Sequence, residues 1–213
     1  MNKRLTRIYQ KLYAAFGPQY WWPADTPFEV MVGAILTQNT NWGNVEKAVA
    51  NLKKEKLLSP RGLLRVPLSK IARSIRPSGY YNIKAGRLKE FLGFLCKSYQ
   101  GSIKKMASQD HWQLRRQLLA VKGIGEETAD SILLYSLSKP VFVVDAYTRR
   151  ILLRHRLIKK EAGYQDIQNL FMENIKNRVK LFNEYHALLV RLGKEFCFKN
   201  NPRCRGCPLE HER

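Results

Sequence analysis

The sequence predicts an all-α protein with a folded apolar core. Apolar residues recur at intervals of three and four along most of the chain, which is the spacing of one helix face. No segment shows the apolar–polar alternation of a half-buried strand, and the short apolar run at 141–144 would suit either structure. Apolar residues make up 45% of the 213 positions, which argues against a disordered basic chain.

Most helices are predicted from a single apolar face. In the first, Leu5, Ile8 and Leu12 recur at helical spacing. Residues 28–36 are apolar almost throughout, which indicates a helix buried on all sides. The predicted helices are 4–16, 28–36, 44–56, 68–75, 83–99, a hairpin over 112–137, 146–154, 164–175 and 179–196.

Proline and glycine mark the predicted connections between these helices. Pro18 and Pro23 bracket a loop that contains adjacent tryptophans. Ser59-Pro60-Arg61-Gly62 is predicted to be a turn, and Arg76-Pro77-Ser78-Gly79 ends the helix that precedes it.

The charge of the chain indicates a polyanionic partner. Lysine and arginine total 38 against 17 acidic residues, a net charge of +21 that is spread along the whole sequence. Nucleic acid is the commonest partner of such a protein, although a basic solvated surface or a ribosome-associated protein would also fit. No apolar run approaches the roughly 20 residues needed to span a bilayer, so we expect no membrane association. The first residues lack an apolar signal core, and we expect a cytoplasmic, prokaryotic, DNA-associated protein.

A glycine turn joins the two helices of the predicted hairpin. Gly123-Ile124-Gly125 can adopt positive φ and allows a partner to approach the backbone closely. The N–H groups at the start of the second helix would suit a phosphate, with Lys122 beside them. An ordinary helical hairpin is the alternative interpretation.

The hairpin resembles a known family once the following residues are included. Gly123-Ile124-Gly125, then Thr128-Ala129, then Val143-Val144-Asp145 resemble the helix-hairpin-helix and catalytic aspartate of the endonuclease III-type DNA glycosylase superfamily. The resemblance covers nearly the whole chain and implies a two-domain endonuclease III-like fold. A helical barrel of residues 25–138 would pack against a second helical domain made of 1–24 and 139–213. Double-stranded DNA containing a damaged base would bind in a cleft between them as the partner of a monomeric enzyme.

The same resemblance implies the reaction. Bifunctional members carry a nucleophilic lysine two residues after the second glycine, where this chain has Glu127. A carboxylate cannot form a Schiff base, so the resemblance implies a monofunctional glycosylase. Asp145 would stabilise positive charge on the deoxyribose and orient or deprotonate the attacking water. It is also predicted to cap the next helix through the N–H of Tyr147 or Thr148. His186 is interpreted as a hydrogen-bonded structural residue.

Aromatic residues would form the pocket for the extruded base. The segment Trp21-Trp22-Pro23 resembles the pocket lining of the 3-methyladenine glycosylase branch, and Trp42 matches a further pocket aromatic there. Bases taken out of the duplex are held against aromatic rings. The resemblance therefore implies alkylated purines as substrates, 3-methyladenine first. The alternative role for the tryptophan pair is to fill the core beneath the loop.

Two side chains match those that enter the DNA stack in this superfamily. Gln38 would occupy the space that the target base leaves, because an amide can pair with the orphaned base as donor and acceptor. A cap cluster at a helix end is its alternative role. Tyr80 lies at the wedge position of Gly-x-Tyr-Asn-x-Lys-Ala, and would replace lost stacking. Lys84 of that motif is predicted to be a surface or phosphate-contacting lysine.

The last cysteines follow most of an iron–sulfur pattern. Cys197, Cys204 and Cys207 match the first three positions of the superfamily's Cys-x6-Cys-x2-Cys-x5-Cys, whereas Arg213 occupies the fourth. Four thiolates usually hold a 4Fe–4S cluster, and three leave one iron to another ligand. A zinc ion held with His211, or no metal at all, is the alternative, and the cluster is favoured. Cys96 is interpreted as a core thiol.

Other functions fit parts of the pattern. A bifunctional endonuclease III-like enzyme for oxidised pyrimidines would use some other amine. A mismatch or uracil glycosylase is compatible with the tryptophan pair. A non-catalytic DNA-binding module would keep the hairpin and the charge but would not need Asp145.

Overall fold

The computed structural model describes residues 3–176 and 178–212, and all regular elements in those ranges are helical. The predicted all-α class is therefore confirmed. The chain forms two compact units. The first, called the terminal unit, comprises Met1–Pro23 and Pro140–Arg213, and the second, called the central unit, comprises Ala24–Lys139.

The central unit is built around its first helix. Its helices are α2 (Pro27–Leu36), α3 (Trp42–Lys54), α4 (Pro60–Arg65), α5 (Leu68–Ser74), α6 (Tyr81–Tyr99), α7 (Ile103–Ala107), α8 (His111–Leu119) and α9 (Glu126–Ser131). A π-helical turn, Ile132–Ser136, continues α9. All residues of α2 from Phe28 to Leu36 are buried, because α3, α6, α9 and the π-helical turn pack against it. The almost entirely apolar run 28–36 is thus the centre of a helical barrel.

The terminal unit brings both ends of the chain into one core. Its helices are α1 (Lys3–Phe16), α10 (Ala146–Arg154), α11 (Tyr164–Asn174) and α12 (Val179–Glu195). Helix α12 packs against both α1 and α10, and the hydroxyl of Tyr185 donates to the Leu5 carbonyl at 2.9 Å. Phe142 stacks on Phe171, with centroids 3.8 Å apart. The apolar run 141–144 is a buried extended segment, and it pairs with no neighbour as a strand.

Two short helices were not predicted. The expected turn at Ser59–Gly62 is wrong, because Pro60 is the first residue of α4 and Ser59 is its N-cap. The Ser59 hydroxyl accepts a hydrogen bond from the Gly62 N–H at 3.0 Å. Serine followed by proline is a normal helix start. Helices α4 and α7 have six and five residues, which is too short for a recurring apolar face to be recognised.

Candidate functional site

Asp145 begins α10 as its N-cap. Its backbone is extended, and its Oδ1 accepts a hydrogen bond from the Thr148 N–H at 2.7 Å, which confirms the predicted cap. The side chain is only 11% exposed. The cap fixes one carboxylate oxygen, and Oδ2 is directed elsewhere.

Tight packing of α10 on α12 fixes the position of this cap. A methyl group on Gly193 would come within 2.3 Å of a ring carbon of Tyr147, so the two helices approach closely only because residue 193 is glycine. Arg150 crosses the same interface and donates to the carbonyls of Cys197 and Gly193 at 2.8 and 3.2 Å. The start of α10, and with it Asp145, has little freedom to move.

His186 lies against the aspartate, a contact that the sequence did not reveal. Its Nε2 is 3.7 Å from Oδ2 of Asp145, and its side chain is 7% exposed. Burial lowers the pKa of His186, and the Asp145 charge opposes that shift only in part. A neutral imidazole therefore faces the carboxylate at neutral pH. The two residues are 41 positions apart (186 − 145), and no local pattern in the sequence connects them.

The tryptophan pair lies in the terminal unit. The rings of Trp21 and Trp22 are 5.3 Å apart at 55°, and both residues are half-buried. The Lys194 ammonium is 5.9 Å from the centre of the Trp21 ring. Pro23 is exposed, and Tyr20 beside the pair is 84% exposed. The loop therefore presents aromatic surface without burying it completely.

Trp42 belongs to the central unit, where it is the first residue of α3. Its indole N–H donates to Glu46 at 2.7 Å, one turn further along the helix. The residue is half-buried. Asn41 caps α3 by accepting from the Asn44 N–H at 3.1 Å.

The glycine hairpin is held by a buried ion pair. Arg115 of α8 donates two hydrogen bonds to Asp130 of α9, at 2.7 and 3.0 Å. Asp130 is completely buried and Arg115 is 8% exposed, so the pair fixes the relative position of the two helices. Glu127, which the resemblance places at the position of the nucleophilic lysine, is the second residue of α9 and is exposed.

The two hairpin glycines have different roles. Gly123 has φ +87°, a conformation that favours glycine. Gly125 has φ −96°, so the positive φ that the glycine turn was predicted to allow occurs at Gly123 and not at Gly125. A Cβ on Gly125 would meet no atom of the described residues within 4 Å. No contact in the described part of the chain therefore requires glycine at 125. Lys122 beside them is exposed.

Gln38 is held against the hairpin. Its amide nitrogen donates to the Gly123 carbonyl at 3.0 Å and to the Thr128 hydroxyl at 2.9 Å. Its amide oxygen accepts a short hydrogen bond from Arg87. Gln38 does not cap a helix in this arrangement, because Asn41 is the N-cap of α3.

Tyr80 protrudes from the same unit. It follows Gly79, adopts a left-handed conformation with φ 45°, and is 68% exposed. The prediction of a surface position for Lys84 is wrong, since Lys84 is only 1% exposed. Its ammonium donates to the carbonyls of Leu36 and Ser78 at 2.8 and 2.6 Å. Burial, with a smaller effect from the Arg87 charge, lowers the pKa of Lys84 to about 8.

The three clustered cysteines line one cavity of about 320 Å³ in the terminal unit. Cys197 is buried, Cys207 half-buried and Cys204 exposed. Arg154 donates to the Cys197 sulfur at 3.2 Å. Burial raises the pKa of Cys207, and the neighbouring Cys197 and Cys204 add to that shift.

The cavity does not include His211, which is exposed. Within residues 3–176 and 178–212, no three His, Cys, Asp or Glu side chains form a group able to hold a metal ion. Arg213, at the family's fourth cysteine position, lies outside the described residues.

No helix in the described part of the chain is long and apolar enough to cross a membrane.

Comparison with known proteins identifies the class. Residues 32–177 match the model of the HhH-GPD superfamily of base excision DNA repair proteins. The chain belongs to this superfamily, and it is a base excision DNA repair glycosylase. The resemblance inferred from the hairpin and Asp145 is therefore confirmed.

Relatives cover almost the entire chain. MJ1434 of Methanocaldococcus jannaschii, which is provisionally named a DNA repair glycosylase, is 47% identical over 206 residues, covering 96% of this chain and 93% of its own length. The endonuclease III of Thermotoga maritima is 28% identical over 188 residues, covering 87% of this chain and 81% of its own.

A solved structure of Helicobacter pylori 3-methyladenine DNA glycosylase bound to 1,N6-ethenoadenine is also similar. It has 31% identity and a TM-score of 0.79, covering 90% of this chain and 97% of its own. A non-covalent endonuclease III–DNA complex has a TM-score of 0.84 at 22% identity and covers 99% of this chain and 95% of its own, a likeness of fold.

Proposed function

We propose that this protein is a monofunctional DNA glycosylase that hydrolyses the N-glycosidic bond of an alkylated purine, acting as a monomer on double-stranded DNA. The observation that carries the proposal is the pair of acids at the two positions that decide the reaction. Glu127 stands where bifunctional relatives have their nucleophilic lysine, and Asp145 keeps the catalytic carboxylate. Without an amine at that position, water is the nucleophile that remains.

Asp145 would act mainly through its charge. A fixed carboxylate near the deoxyribose stabilises the positive charge that develops as the base departs, and a preorganised charge does so without reorganisation during the reaction. The Thr148 cap and the Gly193 contact provide that fixed orientation. Asp145 can also orient the attacking water and accept its proton. An alkylated purine that carries a positive charge is a good leaving group, so one carboxylate can suffice.

The aromatic loop supports a purine substrate. Trp21 and Trp22 offer partly exposed rings, and Pro23 beside them is exposed. These three residues would line the pocket of the extruded base, since flipped bases are recognised by stacking. The resemblance assigns Trp42 as a further pocket aromatic. The similarity to the 3-methyladenine glycosylase of H. pylori, at 31% identity, favours the same substrate class for this chain.

The hairpin and two exposed side chains would hold the opened duplex. No described residue comes within 4 Å of the place where a Gly125 side chain would begin, so its absence leaves room for a phosphate beside Lys122 and Gly123. Tyr80, which protrudes and is mostly exposed, suits a wedge that enters the stack. Gln38 would enter opposite it and pair with the orphaned base.

The sequence pattern supports a 4Fe–4S cluster held by Cys197, Cys204 and Cys207, and all three cysteines line one cavity. In the arrangement that the structure describes, however, no group of three such side chains is placed to hold a metal ion. The Arg154 contact to Cys197 would stabilise a thiolate. When bound, the cluster would supply a structural link between the end of α12 and the cysteine loop. Iron and sulfide analysis of anaerobically purified protein, with each cysteine changed to serine in turn, tests this assignment.

The decisive experiment is base release from duplexes that each carry one lesion. The panel contains 3-methyladenine, ethenoadenine, an oxidised pyrimidine, uracil and a mismatched thymine, each assayed with and without alkaline cleavage. We expect release of alkylated purines and strand breaks only after alkali. Strand cleavage without alkali, or a covalent complex trapped by borohydride, would contradict a monofunctional reaction. Release confined to the oxidised pyrimidine, uracil or mismatch would contradict the substrate class.

A further inference from the structure

We propose that Lys84 and Arg87 of α6 are positioning residues that hold the two stack-entering side chains, Tyr80 and Gln38, in place before DNA binds. Neither residue would touch the base or the sugar. The proposal rests on the proposed function in one respect, which is that Tyr80 and Gln38 enter the DNA stack. It adds the means by which their loops are fixed to each other and to the hairpin.

Lys84 joins the backbone beneath both loops. Leu36, whose carbonyl accepts one of its hydrogen bonds, is the last residue of α2 and precedes Gln38 by two positions. Ser78, whose carbonyl accepts the other, precedes Tyr80 by two positions. One ammonium group thereby sets the distance between the two loops.

The burial of this amine indicates that its hydrogen bonds matter. Moving an ammonium out of water is unfavourable, and an unbranched apolar side chain of similar length would fill the same space without that cost. The only described groups that Nζ contacts by hydrogen bonding are the two carbonyls. The two hydrogen bonds offset that cost, and they join the backbone at Leu36 to the backbone at Ser78.

Arg87, one turn further along α6, fixes the Gln38 side chain. It donates to the amide oxygen of Gln38, while the amide nitrogen donates to the Gly123 carbonyl and the Thr128 hydroxyl. Its aliphatic stem packs on Gly123, where a Cβ would come within 2.5 Å of the Arg87 Cγ. The amide is thus oriented in one way, and its resting position is tied to the hairpin.

The consequence is a surface that is ordered before binding. Two loops that are already immobile lose less conformational entropy when the side chains that they carry enter a stack. This benefit applies to a duplex that has been opened and much less to an intact one, where neither side chain inserts. Loss of Lys84 or Arg87 should therefore weaken recognition of opened DNA selectively.

The experiment uses a duplex with a tetrahydrofuran abasic analogue opposite 2-aminopurine, and an intact duplex of the same sequence. Binding is followed by anisotropy, and insertion by the fluorescence of 2-aminopurine, which responds to its stacking. No base is released, so the result does not depend on the reaction or the lesion. The test variant is Lys84→Met. Lys89→Met is the matched control, because Lys89 on the same helix also donates to two carbonyls, those of Leu64 and Val66 at 2.9 and 2.7 Å.

We expect Lys84→Met to bind the abasic duplex about tenfold more weakly, the effect of one lost charge-assisted hydrogen bond, and to lose the fluorescence response. Binding to the intact duplex should stay within about twofold, as should all properties of Lys89→Met. The proposal would be overturned if Lys84→Met and Lys89→Met changed DNA affinity equally. It would also be overturned if Lys84→Met lost the same affinity for both duplexes, or if the wild type gave no fluorescence response.

Arg87 provides a second test if Lys84→Met does not fold, as judged by circular dichroism. Arg87→Met should lose the fluorescence response, and Arg87→Lys, which keeps a cationic donor, should recover part of it. If the 2-aminopurine fluorescence response of Arg87→Met equalled that of the wild type, the proposal would be overturned even in the absence of data for Lys84.

The two proposals can fail separately. A wild-type protein that releases the damaged base but gives no 2-aminopurine response would contradict this proposal and leave the proposed reaction standing. A wild-type protein that gives the response but releases no base would contradict the proposed reaction alone.

Discussion

At the scale of single residues, the carboxylate of Asp145 has a structural role and a proposed chemical role, and one substitution separates them. Asparagine caps a helix as well as aspartate does, so Asp145→Asn should keep the hydrogen bond to Thr148 and change the free energy of unfolding by less than about 0.5 kcal/mol. The negative charge is lost, and base release in single-turnover assays should fall by roughly 100-fold or more. Asp110→Asn, the same change at the N-cap of α8, is the matched control. A non-catalytic DNA-binding module would show no difference between the two variants.

The two hairpin glycines give a second residue-scale prediction. Gly125→Ala introduces a methyl group into open space at an ordinary φ, so thermal stability should be unchanged or slightly higher. DNA affinity should nevertheless fall by about tenfold if a phosphate approaches this backbone. Gly123→Ala should instead lose at least about 1 kcal/mol of stability, because alanine at φ +87° is strained and would collide with Arg87. A Gly125→Ala protein with wild-type affinity would remove Gly125 from the phosphate site.

Lys84, whose surface position was predicted wrongly, and His186, whose contact with Asp145 was not foreseen, share one property. The partners of Lys84 and His186 are distant in the chain: Leu36 is 48 positions from Lys84, and Asp145 is 41 from His186. A lysine in a glycine-rich motif and a histidine within an amphipathic helix have no local pattern that reports such contacts. The Asp145 cap was predictable because its partner, Thr148, is three residues away.

At the scale of elements, an ion-paired carboxylate holds the cysteine-bearing tail on α1. Glu212 is buried, and it accepts hydrogen bonds from Arg7 at 2.8 and 2.9 Å and lies 2.7 Å from the Lys11 ammonium. The Arg7 hydrogen bond is the largest cause that lowers the pKa of Glu212, to about 2 from the usual 4.5. The ionised form therefore stabilises the folded protein. That contribution is complete above about pH 4.5 and is lost as the pH falls towards 2.

Glu212→Gln should accordingly lower the unfolding temperature at neutral pH, and the difference from the wild type should disappear in acid. Calorimetry across this pH range measures it, and Glu161→Gln, at an exposed acid, is the control. A Glu212→Gln protein whose stability relative to the wild type does not vary with pH would contradict the assignment. Limited proteolysis of residues 197–212 in the same variant would report whether the tail is released.

Helices were predictable where apolar residues recur on one helix face over several turns. The predicted bounds lie within two residues of the observed ones for α1, α2, α3, α6, α10, α11 and α12. This difference is the usual uncertainty of a helix boundary. The extended run 141–144 was ambiguous for a physical reason. It is buried on all sides, and complete burial removes the alternation that distinguishes a strand from a helix.

At the scale of the whole molecule, the net charge of +21 predicts a steep dependence of DNA binding on salt. If about six phosphates are neutralised, the logarithm of the association constant should fall with a slope of about −5 against the logarithm of salt concentration. Titrations of an intact duplex from low to physiological salt measure this slope. Substituting glutamine for Lys122, a predicted phosphate contact, should reduce its magnitude by about one, and an unchanged slope would count against that contact.

The pairing of α1 with α12 has a consequence for how the protein is made. The central unit, Ala24–Lys139, is one continuous stretch, so a ribosome delivers all of it before it makes α12. The terminal unit needs α1, α12 and the Glu212 contact together, so α1 must wait until residues as far as 212 have been made. The hairpin that would grip DNA can thus fold early, as domains generally do during synthesis. Asp145, the carboxylate that would act on the DNA, acquires its final surroundings only after those later residues have been made.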